Sequence, residues 1–294
     1  MRALTVLAAL LALAAGAAPR GDAARTGLPA SWTAGSGGPD GGVVYQGRIP
    51  NRFVPSDRRL SAVYLPPRYN PARRYPVVYL LHGMPGRPTS IWGGLHLADV
   101  ADGLIASGLM KPFIAVLPVA GPTVHPGAGE WAGVWENYLV RDVVPWVDAH
   151  LATLRGPQGR ALEGLCAGGF GAVDIGLRHP GVFGTLGSWE GYFAPVFRDG
   201  PFLHASAAVL RAHDPALLVQ RDAVSLRRSG VRFYVSVGGN HGNVLRTWSI
   251  AFARELASLR LPHELWTLPP IDRGHFWGAT LPSALLYADG VPKT

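Results

Sequence analysis

Three short stretches of the chain hold residues able to do acyl-transfer chemistry. Gly164-Leu165-Cys166-Ala167-Gly168 sets a thiol between two glycines. A nucleophile at a sharp strand-to-helix turn needs small neighbours two residues to either side, and these glycines supply them. The helix that follows would aim its N-terminus at the sulfur and favour thiolate over thiol. Leu81-His82-Gly83-Met84-Pro85-Gly86 comes directly after an apolar strand. A His-Gly pair there lets the backbone turn and point an amide at a reacting carbonyl. The Met84 amide is the expected donor, with Gly83 next, and the Ala167 amide completes the oxyanion hole. His82 itself reads as structural. Gly274-His275-Phe276-Trp277 lies late in the chain, where the order nucleophile, acid, histidine puts a general base. Of the ten histidines, His275 alone has this placement; His150, His179 and His213 read as surface or capping residues.

The elements that must position these residues alternate along the chain. Spans 59–65, 76–82, 113–119, 160–165, 182–189, 231–237 and 263–268 read as strands. Spans 97–105, 136–151, 168–177, 204–228 (broken near Pro215), 245–259 and 277–287 read as helices. Such alternation predicts an α/β fold, a mostly parallel central sheet with helices on both faces and right-handed crossovers. Its ligand site should lie beyond the carboxyl ends of the strands. His82, Gly83, Trp189 and Trp277 are expected around that pocket.

Length and composition narrow the class. The 294 residues, 48% hydrophobic and 16% charged, suit one large globular domain and exclude a disordered chain. One cysteine excludes an intramolecular disulfide framework and a cysteine-based zinc site, and no other metal-ligand spacing is present. Arg2 followed by an uncharged Leu/Ala-rich run to Pro19 has the layout of a secretory signal peptide. Residues 1–24 are therefore expected to be removed, with cleavage near 17–24, leaving a secreted protein. An uncleaved anchor is the alternative, although the run is short for a span of about 20 residues. Residues 25–42, dense in Gly, Ser and Pro, read as a flexible linker, and 43–294 as the single domain. The net charge of +8 is almost wholly arginine, since Lys111 and Lys293 are the only lysines. No basic run is interleaved with aromatics, so nucleic acid is not an expected partner. A solvated basic surface or attraction to an anionic cell envelope accounts for the charge.

Several motifs together give the chain a resemblance. Val63-Tyr64-Leu65-Pro66 precedes Tyr75-Pro76-Val77-Val78-Tyr79-Leu80-Leu81-His82-Gly83. Further on come Trp135-Glu136-Asn137-Tyr138, Gly168-Gly169-Phe170-Gly171-Ala172, His179-Pro180 with Phe183, and His275 with Trp277 and Leu281-Pro282. On these residues, from about Arg59 to Tyr287, the chain resembles the esterase/antigen 85 branch of the α/β-hydrolases. That branch includes mycolyltransferases, feruloyl esterase domains and esterase D-like enzymes. The resemblance implies the α/β-hydrolase fold, an acyl-transfer scaffold acting on esters, serine as the usual nucleophile, and no cofactor.

Two departures bear on chemistry. Cys166 stands where the family has serine. After the strand at 231–237, where the family places its acid, the loop reads Gly238-Gly239-Asn240-His241-Gly242-Asn243, without a carboxylate. Asn240 or Asn243 could orient the histidine, as the amide does in Cys-His-Asn proteases. Glu190, in Ser188-Trp189-Glu190, could instead serve from the end of the preceding strand; Asp272 shares a loop with His275 and is badly placed. Two functional readings follow. One is an exported esterase or acyltransferase in which Cys166 forms an acyl-thioester, His275 moves the proton and Glu190 orients it. Its substrate would be a small-molecule, lipid or carbohydrate ester. The other is a catalytically silent binding protein for envelope lipid or carbohydrate, with Trp131, Trp135, Trp189 and Trp277 lining a groove. A redox-sensing thiol is a third, weaker reading.

Overall fold

The computed structural model describes residues 26–121, 129–197, 200–239, 243–269 and 273–290. The expected signal peptide, Asn240, Asp272 and residues 122–128 lie outside them. In chain order the elements are β1 (Thr33–Gly37), β2 (Val43–Gly47), β3 (Ser61–Leu65), β4 (Val77–Leu81), α1 (Thr89–Trp92), α2 (Leu97–Ala106), β5 (Ile114–Leu117), α3 (Val134–Tyr138) and α4 (Val144–His150). Then come β6 (Arg160–Leu165), α5 (Ala167–Arg178), β7 (Thr185–Trp189), α6 (Ala207–Ala212), α7 (Pro215–Ser229), β8 (Arg232–Val237), α8 (Val244–Ser258), β9 (His263–Thr267) and α9 (Arg273–Ala288).

Among the described residues nine strands form one sheet in the order β1-β2-β3-β5-β4-β6-β7-β8-β9. The first three are antiparallel to their neighbours, and the run from β5 to β9 is parallel. This is the α/β-hydrolase arrangement, and its central strands are buried on both faces. One apolar layer packs Val147, Phe183, Leu218, Val219 and Phe252 against the sheet. The other packs Ala98, Ala101, Leu281, Ala284 and Leu285 of α2 and α9. Two covered faces explain why β4 is the unbroken apolar run Val77–Leu81.

Two readings are corrected. The span 25–42 is not a linker throughout: β1 pairs with β2, with Thr33 opposite Gln46. Backbone pairing at a sheet edge needs no apolar pattern, and β1 is largely exposed, so periodicity could not reveal it. The single helix read over 136–151 is divided by a wide π turn, Leu139–Val143. Pro145 has no N–H to give the carbonyl of Arg141, and Arg52 Nη2 donates to that carbonyl instead at 2.9 Å.

Candidate active site

β6 ends at Leu165 and α5 begins at Ala167, so Cys166 alone makes the turn. Its backbone sits at φ 55°, ψ −118°, a conformation that costs an L-residue energy and persists only when surroundings hold it. They do. Cys166 N–H donates to the Trp189 carbonyl at 2.9 Å, and its own carbonyl accepts from Gly169 and Phe170 at 2.9 and 3.1 Å. The flanking glycines are required by contact. A Cβ on Gly164 would lie 2.5 Å from the Gly168 carbonyl carbon, and one on Gly168 would lie 2.1 Å from the Leu81 carbonyl oxygen. The Cys166 side chain is half-buried at the N-terminus of the twelve-residue α5.

The end of β4 closes against this turn. A Cβ on Gly83 would lie 3.4 Å from Cys166 Cβ, and Met84 packs against the cluster that holds Ala167, Phe170 and Leu245. The two expected oxyanion donors are thus carried by adjoining segments. His82 is fully buried. Its Nδ1–H donates to the Gly83 carbonyl at 2.8 Å and Nε2 accepts from Ala120 N–H at 3.3 Å. Burial pushes its pKa down to about 4, so it is a neutral brace between β4 and the loop after β5. Trp131 Nε1 donates to the His82 carbonyl at 2.8 Å, and Arg59 holds the same loop by donating to the carbonyls of Ala120 and Gly121.

Glu190 follows β7 at φ 52°, its N–H bonded to the Ser236 carbonyl at 2.8 Å. The end of β7 therefore ties the Cys166 turn on one side to β8 on the other. The Glu190 side chain is buried, and Asn243 Nδ2 donates to its Oε1 at 3.2 Å. Asn243 Oδ1 meanwhile caps α8 by accepting from Leu245 N–H at 2.9 Å. Two of the alternatives for orienting the histidine are thus bonded to each other. His275 lies in the first turn of α9 with its side chain exposed. Its neighbour Phe276 is buried, and a Cβ on Gly238 at the end of β8 would lie 2.7 Å from it. The start of α9 is thereby pinned at the carboxyl end of the sheet.

The pocket residues are corrected in part. His82, Gly83 and Trp189 are buried and support the site from behind, while Trp277 is half-buried. Trp131 and Trp135 are also fully buried, and they are core. His179 and His213 stand at the C-caps of α5 and α6, as capping residues should, and each ring also reaches a carboxylate. His179 Nε2 lies 2.7 Å from Glu136 Oε1, and His213 Nδ1 lies 2.7 Å from Asp174 Oδ2. Burial raises the Glu136 carboxyl, but the His179 bond and the Arg178 charge outweigh it and hold the group below its usual range. Sequence reasoning passed over Glu136 and Asp174 because their partners lie 43 and 39 residues away. It also missed Glu130, which accepts from Tyr192 Oη at 2.6 Å. Among the described residues no group of three or more His, Cys, Asp and Glu side chains is placed to hold a metal ion.

A family model described as "Putative esterase" matches residues 55–270, well over half the chain. The chain belongs to the Esterase family. It is 34% identical over 139 residues to an endo-1,4-beta-xylanase/feruloyl esterase of Xylanibacter ruminicola, covering 44% of this chain and 19% of that protein. It is 31% identical over 148 residues to the esterase Rv1288 of Mycobacterium tuberculosis, covering 48% of this chain and 28% of that protein. The chain thus spans under a third of the length of either relative. In structure it is similar to a ferulic acid esterase, with TM-score 0.74 and 22% identity over 85% of this chain and 98% of the other. An S-formylglutathione hydrolase from Agrobacterium tumefaciens matches with TM-score 0.68 and 17% identity, over 88% and 98%. At such identities the structural likeness speaks for the α/β-hydrolase fold alone.

Proposed function

We propose that this chain is an exported carboxylic-ester hydrolase or acyltransferase whose nucleophile is Cys166. The observation that carries the reading is the φ 55°, ψ −118° backbone of Cys166 at the turn between β6 and α5, the strained position from which such a turn presents a nucleophile. In the proposed reaction His275 takes the thiol proton and Cys166 Sγ attacks the ester carbonyl. The tetrahedral oxyanion is held by the amides of Met84 and Ala167. Collapse expels the alkoxide, which takes the proton back from His275 and leaves as the alcohol. Water, or an acceptor alcohol, then releases the acyl group from the thioester, with His275 again as base. Glu190, itself held by Asn243, orients the imidazole. The names of the relatives support a small ester substrate, and feruloyl esters head the panel to be tried. Export is supported by the uncharged run after Arg2.

Intact mass after exposure to a p-nitrophenyl ester decides the nucleophile. The wild type should gain one acyl mass, labile to hydroxylamine, and Cys166→Ala should gain none. Acylation that persists in Cys166→Ala overturns the proposal.

A further inference from the structure

Among the buried carboxyls that the proposed chemistry does not use, Glu163 lies nearest in sequence to the nucleophile. Glu163 lies in β6, three residues before Cys166, beside Leu80 of β4 and Gly187 of β7. It is fully buried, a costly place for a carboxyl. Gly187 makes the room: a Cβ there would lie 2.5 Å from Glu163 Cγ. The carboxyl reaches the indole of Trp189, whose Nε1–H donates to Oε2 at 3.0 Å. Oε1 has no hydrogen-bond partner among the described residues. Trp189 is the residue whose carbonyl holds Cys166 N–H, and Glu190 follows it directly. A shift of the indole would therefore move the backbone that carries both groups.

We infer that Glu163 is a positioning residue: by fixing the Trp189 indole it holds the turn that presents Cys166 and Glu190. Its purpose rests on the nucleophile proposed above, but the lock can be measured without it. The lock works as a neutral acid. Burial pushes the Glu163 carboxyl up to about 8, against the Trp189 bond and the charge of Arg232, which lower it. The other titratable groups acting in this layer are Tyr234 of β8, Tyr287 of α9 and Glu264 of β9. Both phenols are raised by burial and stay protonated. From β4 comes Leu80, which does not titrate. Between the usual carboxylate range and about 8 the folded protein keeps a proton that the unfolded chain releases. Stability should therefore fall as pH rises through that window and level off above it.

The test compares wild type, Glu163→Gln, Glu163→Leu, Trp189→Phe and the Glu163→Leu/Trp189→Phe pair. Cys166 is the only thiol, so its alkylation rate by iodoacetamide reports the turn directly. Ester kcat and KM, and melting temperature from pH 5 to 9, complete the readout. Glu163→Gln keeps the acceptor, so alkylation and kcat should stay near wild type while the fall in melting temperature between pH 5 and 8 becomes smaller, leaving the part due to the other raised carboxyls such as Asp174. Glu163→Leu and Trp189→Phe should each change the alkylation rate, and lower kcat more than KM, by about tenfold. The pair should do no worse than either alone, as expected of two halves of one contact. Should Glu163→Leu fail to fold, Trp189→Phe carries the same expectation. Unchanged alkylation in folded Glu163→Leu or Trp189→Phe overturns the inference, as does a Glu163→Gln as impaired as Glu163→Leu. Coupled alkylation effects without ester turnover would uphold the lock and sink only the nucleophile.

Discussion

A thiol starts at a pKa of about 8.5, so the proton His275 must remove in the proposed reaction is far less tightly held than a serine's. This changes what is demanded of the third residue. With serine, an anion behind the imidazole stabilises the imidazolium formed during attack; with a thiolate-imidazolium pair much of that stabilisation is internal to the pair. Substitution should show the asymmetry. His275→Ala is expected to lower kcat by about 10²–10⁴-fold. Glu190→Gln, which keeps the shape and the bond to Asn243, should lower it by about tenfold. Steady-state kinetics on both variants checks this, and wild-type kcat in Glu190→Gln would remove that residue from the mechanism.

The elements meet at the end of β7, where one peptide serves two neighbours. The Trp189 carbonyl holds Cys166, and the Glu190 amide reaches Ser236 of β8. Asn243 joins the next element to this junction, capping α8 with its oxygen and gripping Glu190 with its nitrogen. The two duties can be separated. Asn243→Ala loses both and should cost about 1 kcal/mol from the lost cap, along with part of kcat. Asn243→Ser keeps a capping oxygen but has no nitrogen to donate. Its denaturant midpoint should stay near wild type while kcat falls to the level of Asn243→Ala. If kcat instead follows stability in both variants, Asn243 acts only as a cap.

Across the whole molecule, pH should act through buried carboxylates that their partners leave shifted in opposite directions. Glu163 is raised and weakens the fold as pH rises. Glu136 is lowered by His179 and Arg178, so its stabilisation is present above the usual carboxylate range and lost as pH falls through its depressed value. Glu136→Gln should lose about 1–3 kcal/mol at pH 7, where a buried ion-paired group becomes a neutral one. The difference from wild type should shrink on acidification below about pH 4. Thermal melts at pH 3.5 and 7 measure it; an equal deficit at both would mean that the charge of Glu136 contributes nothing. Glu136 and His179 both lie in motifs that support the family resemblance, so this pair links the scaffold's recognisable residues to its acid stability.

Much of this was legible in the chain because the physics involved is local. The glycines around Cys166 mark a turn that only small residues permit, and the sheet follows from alternating strand and helix patterns. The π turn at Leu139–Val143 was hidden because its cause is shared between Pro145 and an arginine some ninety positions away. The burial of Trp189, the pairing of His179 with Glu136, and the bond that joins Glu190 to Asn243 share this origin. Each is a contact between segments far apart in sequence, where no spacing rule operates. Residue order settled which chemistry the chain could attempt and at which turn. Tertiary packing decided which side chains are buried and which distant groups they bond, because burial and hydrogen-bond partnership exist only once the sheet has closed.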